Sequence, residues 1–299
     1  MLDLIIIGAG PAGITASVYA ARKRLDFLVI SKDIGGQAAL SGDIENYTGY
    51  QFITGPELAV KFREHMQVFG IKLNSPEEAR EIKRENNLIR LVTDKGEYLA
   101  KTLIIATGSR PRLLNVPGER EFKNKGVTYC ATCDGPLFKD KAISIIGGGN
   151  SALDAALQMI KISPKIYMIN IANGLTGDPI MIEKVIKSER VKVFNNAQVK
   201  RIYGNAFVEG IEIEKDSRAL DFKLQGVFIE IGWIPNSDFA KTVKKNNSAE
   251  IIVDSENKTS IEGIFACGDV TCVREKQIIV ACGEGAKASL GAFKYLSGH

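Results

Sequence analysis

The chain has 299 residues, 45% of them apolar and 25% charged, with a formal net charge of +4. This composition fits a soluble globular protein of one large or two ordinary domains and excludes a disordered, fibrous or low-complexity chain. No apolar run reaches the ~20 residues of a membrane span, Met1-Leu2-Asp3 lacks the basic start of a signal peptide, and the charge excess is too mild for a nucleic-acid face. In chain order, residues 2–7 read as a continuous apolar strand, fit for a parallel sheet covered on both faces. The glycine-rich stretch 8–13 follows as a tight turn, then a helix at 14–23 and a strand at 26–30. Thr54-Gly-Pro-Glu57 reads as a capping box opening a helix that runs to Phe69. Short alternating strands over 71–105 suggest a meander. The order of strand, glycine turn, helix and strand returns at 142–146, 147–152, 153–160 and 166–171, with a second meander over 191–231. Two further strands are expected at 251–253 and 264–266, then a closing helix over 277–295.

The two βαβ units start about 140 residues apart, and each needs its own parallel sheet. Pro111 and Pro117 punctuate a hinge near 114–118, and a second boundary lies near 234–238. The expected fold is therefore α/β, with two Rossmann-like three-layer domains. The first, residues 1–113 and 235–299, is discontinuous. The second, residues 114–234, is inserted into it and carries Cys130 and Cys133. Five cysteines, an odd count without a secretion signal, point to a reducing cytoplasmic setting.

Gly8-Ala-Gly10-Pro-Ala-Gly13 is a G-x-G-x-x-G stretch directly after a strand and before a helix. The first glycine permits the tight turn, the second lets a pyrophosphate approach the backbone, and the third lets helix and strand pack closely. The helix N-terminus offers free N–H groups to the phosphates. A ribose-binding acid is expected about 20 residues on, but the second strand ends Ile30-Ser31-Lys32-Asp33, so the loop alone does not distinguish FAD from NAD. Gly147-Gly-Gly149-Asn-Ser-Ala152 is the permitted G-x-G-x-x-A variant. The next strand ends Met168-Ile-Asn170, without the arginines of an NADP site or the acid of an NAD site. The second loop is thus either a working nicotinamide site or a retained scaffold turn.

Cys130-Ala-Thr-Cys133-Asp134-Gly135 is the sharpest signal. C-x-x-C brings two sulfurs within disulfide reach and lowers a thiol pKa, so the pair can cycle between dithiol and disulfide. Asp134 beside it can shuttle a proton to the leaving thiolate. A zinc site would need two more ligands. The chain offers only His65, His299 and three scattered cysteines, Cys267, Cys272 and Cys282, so no metal is expected. These three cysteines read as buried or incidental, and His65 as a surface residue of a helix.

The two glycine loops, the C-x-x-C-D-G stretch, Gly35-Gly36-Gln37, Glu45-Asn46-Tyr47, Ala106-Thr107-Gly108 and Gly268-Asp269-Val270 together resemble the low-molecular-weight thioredoxin reductase family over nearly the whole chain. The resemblance implies a flavoprotein oxidoreductase whose first domain binds FAD. It implies that Gly8, Gly10, Pro11, Ala12 and Gly13 hold the pyrophosphate, and that Gly36, Gln37 and Asn46 contact the isoalloxazine–ribityl region. Asp269, with Gly268, would bind the ribityl chain. Gln277 and Ile278 would lie at the flavin, and Thr107 and Gly108 would close the site. Ser31, at the strand end, is counted with these cofactor-binding residues. Cys133 would face the flavin, Cys130 would attack the disulfide of thioredoxin, and Asp134 would be the acid. The family alternates between flavin and partner by rotating the inserted domain, and is usually a homodimer.

The departure is the electron source. The family's NADPH enzymes carry a His-Arg-Arg stretch where this chain has Asn170-Ile171-Ala172. In this the chain is similar to the ferredoxin-dependent, pyridine-nucleotide-independent branch, which implies a ferredoxin donor. A flavin can take electrons singly and release a pair. Plant-type ferredoxin potentials near −400 mV lie below the roughly −270 mV of thioredoxin, a drop of about 6 kcal/mol for two electrons. A basic chain of pI about 8.7 also suits an acidic donor. The alternative is an NADPH- or NADH-dependent thioredoxin reductase with an atypical ribose pocket. A ferredoxin–NADP reductase of this fold would need no dithiol, and a flavin-based redox sensor would need no turnover pair. A hydroperoxide-reductase flavoprotein would need a further N-terminal domain, whereas this chain begins at the first strand.

Overall fold

The computed structural model describes residues 1–298; His299 lies outside the described residues. The chain divides into two compact units, one formed by Met1–Arg110 with the segment from Ile234 onward, the other by Pro111–Trp233.

The first unit opens with strand β1 (Leu2–Ala9), helix α1 (Pro11–Arg22) and strand β2 (Phe27–Ile34). Helix α1 starts at Pro11, three residues before the expected position, because proline's fixed φ and missing N–H suit the first helical turn. Strand β2 runs on past residue 30 to Ile34. Helix α2 (Gly55–Val68) carries the capping box: Thr54 N donates to Glu57 Oε2 at 3.0 Å and Glu57 N donates to Thr54 Oγ1 at 3.4 Å. Strand β3 (Glu97–Ile105) lies beside β1 in parallel, with Leu4 opposite Thr102 and Ile7 opposite Ile105. The expected meander over 71–105 is only partly one. Leu73–Asn74 pairs in parallel with β2 at one sheet edge, while Ala79–Glu85, Leu88–Thr93 and the start of β3 are antiparallel at the other. Alternate residues of β1 feed two cores. Leu4 and Ile6 pack with Ile14 and Ala16 of α1, and Ile5 and Ile7 pack with Leu91, Leu103 and Ile105. A strand buried on both faces needs this uninterrupted apolar run.

The second unit repeats the plan. The disulfide-bearing turn, α3 (Ala131–Asp134), precedes β4 (Ala142–Ile146), α4 (Asn150–Met159), β5 (Lys165–Ile169), α5 (Pro179–Ile186) and β6 (Gly226–Ile229). Its parallel five-stranded sheet has the order Val127–Thr128, β6, β4, β5, Val191–Phe194. Of the meander expected over 191–231, only Ala197–Gly204, Val208–Lys215 and Arg218–Lys223 form an antiparallel sheet. The flanking segments complete the parallel one. Helix α5 had no counterpart among the expected elements; Asp178 caps it, its carboxylate accepting from Ile180 N at 2.8 Å.

The two crossings between units, Ser109–Pro111 and Trp233–Pro235, pair as a two-stranded ribbon. The chain then returns to the first unit, where β7 (Ile264–Ala266) pairs in parallel with β3 and α6 (Ile278–Leu296) packs along α1. The strand expected at 251–253 does not form. Ile251 makes only isolated bridges, to Lys245 and Thr271, because its neighbours leave each side after one pairing. Among the described residues no helix is long and apolar enough to cross a membrane, and no group of three or more His, Cys, Asp or Glu residues is placed to hold a metal.

Candidate active site

In the first unit the glycine turn is shaped by contacts that admit no side chain. Gly8 has φ +108°, and a Cβ there would fall 2.3 Å from Ala106 O; a Cβ on Gly13 would fall 1.9 Å from Gly8 O. Gly10 caps α1, Pro11 and Ala12 open it, and its first N–H groups face the turn. Gly36, with φ +54°, brings its backbone against Gly10, where an added Cβ would stand 3.2 Å from Gly10 Cα. Two bare backbones thus wall the mouth of a helix N-terminus. That is the lining a pyrophosphate needs, so the residues fit a dinucleotide such as FAD.

The chain gathers distant segments around this mouth. Gln37 lies in the helical turn Gly36–Ala39. Asn46 Nδ2 donates to Gln277 Oε1 at 3.2 Å, joining residues 231 apart. Gln277 is the N-cap of α6, and Ile278, its first residue, packs on the cluster of Ile44, Ile53 and Leu58. Gly268, with φ +73°, approaches α1 so closely that a Cβ would meet Ala12 Cβ at 3.0 Å. Asp269 follows it. Burial pushes its carboxyl above the usual range, partly offset by Lys276. A hydroxyl-rich chain would suit such a group.

Two expected residues are engaged elsewhere. The Ser31 hydroxyl accepts from Ala9 N at 2.9 Å and donates to Asp33 O at 2.7 Å, so it braces the turn. The Thr107 hydroxyl donates to Asn236 O at 2.7 Å, Asn236 Nδ2 donates to Thr107 O at 2.9 Å, and Asn236 N donates to Gly108 O at 2.9 Å. Asn236, whose role had no local sequence signal, thereby ties the turn after β3 to the returning chain.

In the second unit Cys130 and Cys133 form a disulfide with a Cα–Cα distance of 5.3 Å. Cys130 is the N-cap of α3, and Cys133 N donates to Cys130 Sγ at 3.2 Å. Cys130 N donates to Thr128 Oγ1 at 3.2 Å, and the Thr128 hydroxyl donates to the Asp134 carboxylate. Asp134 is thus linked to the turn through Thr128, and its backbone N donates to Cys130 O at 3.1 Å. Cys133 is exposed and Cys130 half-buried. Exposure therefore does not single out Cys130; the N–H of Cys133 is aimed at its sulfur. Sequence reasoning missed Glu230, which follows β6. Its Oε1 accepts from Ala131 N at 3.2 Å.

The second glycine loop is overlaid by its own chain. Gly147 has φ +138°, and an added Cβ would meet Glu230 O at 2.4 Å. A Cβ on Gly148 would lie 2.6 Å from the Asn170 carboxamide. Asn170 is 4% exposed. It donates to Gly174 O at 2.8 Å and to Asn195 Oδ1 at 3.1 Å, and accepts from Ala172 N at 3.2 Å. Thr176 N donates to Gly148 O at 2.8 Å. The segment after β5 therefore folds back on the loop. Among the remaining residues, Cys267 and Cys282 are buried, with thiols pushed up by burial. Cys272 is partly exposed, and His65 is exposed on α2.

The profile of the pyridine nucleotide-disulphide oxidoreductases matches residues 2–285. The chain is 40% identical over 298 residues to a protein of Bacillus subtilis named NADH dehydrogenase, covering 98% of this chain and 58% of that one. It is also 40% identical over 301 residues to a protein of Pseudomonas putida named as part of an alkyl hydroperoxide reductase, again covering 98% and 58%. The chain thus spans less than two thirds of the length of these curated relatives. Among solved structures, a thioredoxin reductase from Streptococcus pyogenes is 37% identical with a TM-score of 0.95, covering 100% of this chain and 99% of that one.

Proposed function

Because the chain belongs to the pyridine nucleotide-disulphide oxidoreductase family, whose members carry FAD, we propose that it is a thioredoxin reductase: a flavin-dependent disulfide reductase that passes an electron pair through Cys130 and Cys133 to thioredoxin. The Cys130–Cys133 disulfide, with an N–H aimed at one sulfur and a carboxylate tied into its turn, carries the reading. In this reading the FAD-binding domain is residues 1–113 and 235–299, and residues 114–234 are the inserted disulfide domain.

When bound, FAD supplies the two-electron relay between donor and disulfide. Gly10 and Gly36 would hold its pyrophosphate between backbones, Asp269 would meet its hydroxyl chain, and Asn46 and Gln277, which bond each other, would stand beside it. Opening the disulfide takes two electrons and one proton and leaves one thiol and one thiolate. Asp134 is the group that holds the proton, steered by the Thr128 hydroxyl. The Cys133 N–H favours the thiolate on Cys130, as a charge-assisted donor does. The Cys130 thiolate attacks a sulfur of the partner disulfide, the partner's second sulfur leaves and takes a proton, and Cys133 then displaces the mixed disulfide and restores the Cys130–Cys133 bond.

For the donor, the name NADH dehydrogenase of one relative supports a reduced nicotinamide, and the absence of arginine between the end of β5 and Glu189 favours NADH over NADPH. A ferredoxin donor is the second reading. It is favoured by one observation: Asn170 and Thr176 fold the chain's own segment onto Gly148, where the adenosine ribose would be read. The test is anaerobic addition of NADH, NADPH or reduced ferredoxin while following the flavin absorbance, then thioredoxin thiols. Bleaching by NADH supports the first reading. Bleaching by ferredoxin alone supports the second. No thiol formation with any donor refutes the reductase.

A further inference from the structure

Glu230 lies 99 residues from Ala131 in sequence, yet its carboxyl oxygen accepts the Ala131 N–H at 3.2 Å, at the first residue of the disulfide turn. The Glu230 backbone is fixed on both sides. Its N donates to Ile146 O at 2.8 Å, and its carbonyl presses on Gly147 so closely that no Cβ would fit there. The carboxyl therefore stands at the end of an interior strand of the parallel sheet, bonded to the residue that follows Cys130. We propose that Glu230 is a positioning residue of the disulfide, holding the turn through Ala131 N–H and setting, by its charge, how readily Cys130 carries a thiolate.

Burial and the nearby carboxylate of Asp154 on α4 push Glu230 up to about 8, while the Ala131 N–H pulls the other way. Below that value Glu230 is neutral and accepts the N–H without opposing a nearby thiolate. Above it, a carboxylate faces the turn and disfavours a second negative charge. The groups that act on its carboxyl are the Ala131 N–H of the turn and Asp154 from α4, while Ile146 and Gly147 meet its backbone. Among the described residues no cation is one of the groups that shift it. The inference deepens the proposed reductase. Opening the disulfide by two electrons and one proton leaves the thiolate whose pKa Glu230 would control.

The test needs no electron donor or thioredoxin. In the FAD-loaded Cys133→Ser protein, Cys130 alkylation by iodoacetamide is followed by mass spectrometry of its peptide from pH 6 to 9.5, with and without Glu230→Gln and Glu230→Ala. Gln keeps an acceptor for Ala131 N–H but never ionises. The Gln/Glu rate ratio should stay near one at pH 6 and rise to about threefold or more in the range where Glu230 ionises and Cys130 is still mainly thiol, since there half a pKa unit is about a threefold change in thiolate. Ala removes the acceptor and should change the rate at every pH. Flavin content and far-ultraviolet circular dichroism certify that each variant is folded. A ratio that stays flat across the range overturns the charge role, and an Ala variant indistinguishable from the parent overturns the positioning role. Failure of the reductase itself appears separately, as absence of thiol formation in thioredoxin, and leaves these profiles untouched.

Discussion

Gly283 and Gly285 stand two residues apart on α6, and a methyl group at each should act in opposite directions. At Gly285 an added Cβ would lie 2.1 Å from Ala12 O and 2.9 Å from Ala12 C of α1. The two helices would have to separate by roughly 1.3 Å, the difference between 2.1 Å and the 3.4 Å of ordinary contact, and overpacking of this kind costs about 1–3 kcal/mol. At about 2–4 °C per kcal/mol for a unit of this size, Gly285→Ala should lower Tm by about 4–8 °C for a 2 kcal/mol cost. Ala12 also borders Gly268 and opens the helix at the pyrophosphate turn, so FAD should be released earlier. Gly283 is exposed and has nothing within 4 Å of a built Cβ. Gly283→Ala should therefore gain about 0.5–1 kcal/mol from the lower backbone entropy of the unfolded chain. Thermal unfolding followed by flavin fluorescence, which rises as FAD leaves, measures both. Equal shifts in the two variants, or a Gly285→Ala protein as stable as its parent, would refute the close α1–α6 packing.

Thr54→Ala removes the capping box of α2 and should cost about 1 kcal/mol, with Thr54→Ser nearly neutral, read from urea midpoints. Cys130→Ser or Cys133→Ser should abolish thioredoxin reduction while FAD content is unchanged, and stability should fall by no more than about 2 kcal/mol, because the disulfide closes a very short loop. Asp269→Ala should weaken FAD retention on dialysis, with the rate of Cys130–Cys133 reduction by dithiothreitol unaffected. Glu230 has a folded pKa of about 8, above its ordinary 4.5, so the folded state holds the extra proton between those values. Stability should fall as pH rises through that window and level off above it. Glu230→Gln should flatten the fall, and a parent urea midpoint that is constant from pH 5 to 8.5 would contradict the shift.

What was legible in the sequence is what local chemistry encodes. The α/β class followed from apolar runs such as residues 2–7, because a strand covered on both faces has no alternation to hide it. The capping box at Thr54 and Glu57 was legible because both bonds span three residues. Less visible was whatever depends on distant pairing. Residues 251–253 have the composition of a strand, but a strand needs a neighbour that stays alongside, and Ile251 finds one only for single bridges. The parallel pairing of Val191–Phe194 and β6 was hidden inside an apparent meander for the same reason. At the site, the cysteine pair announces itself in four residues, whereas Glu230 and Asn236 have no signal near the groups they hold. Ser31 was read as a cofactor-binding residue from its place at the end of a strand, yet its hydroxyl is claimed by Ala9 and Asp33, a competition that only the folded turn reveals.

The interrupted first unit also imposes an order on its own completion. During synthesis the glycine turn after β1 emerges early, but α1 lacks the helix that covers it, and β3 has an open edge until β7 arrives. The inserted unit, by contrast, is contiguous from Pro111 to Trp233 and has all of its sheet and its cysteine turn before β7 and α6 leave the ribosome. Domains fold as units during synthesis, N-terminal material first, but here early residues must wait for late ones. A nascent chain halted before residue 264 should hold a folded disulfide unit together with a half-built nucleotide cradle, so flavin capture is a late event of biogenesis and depends on α6.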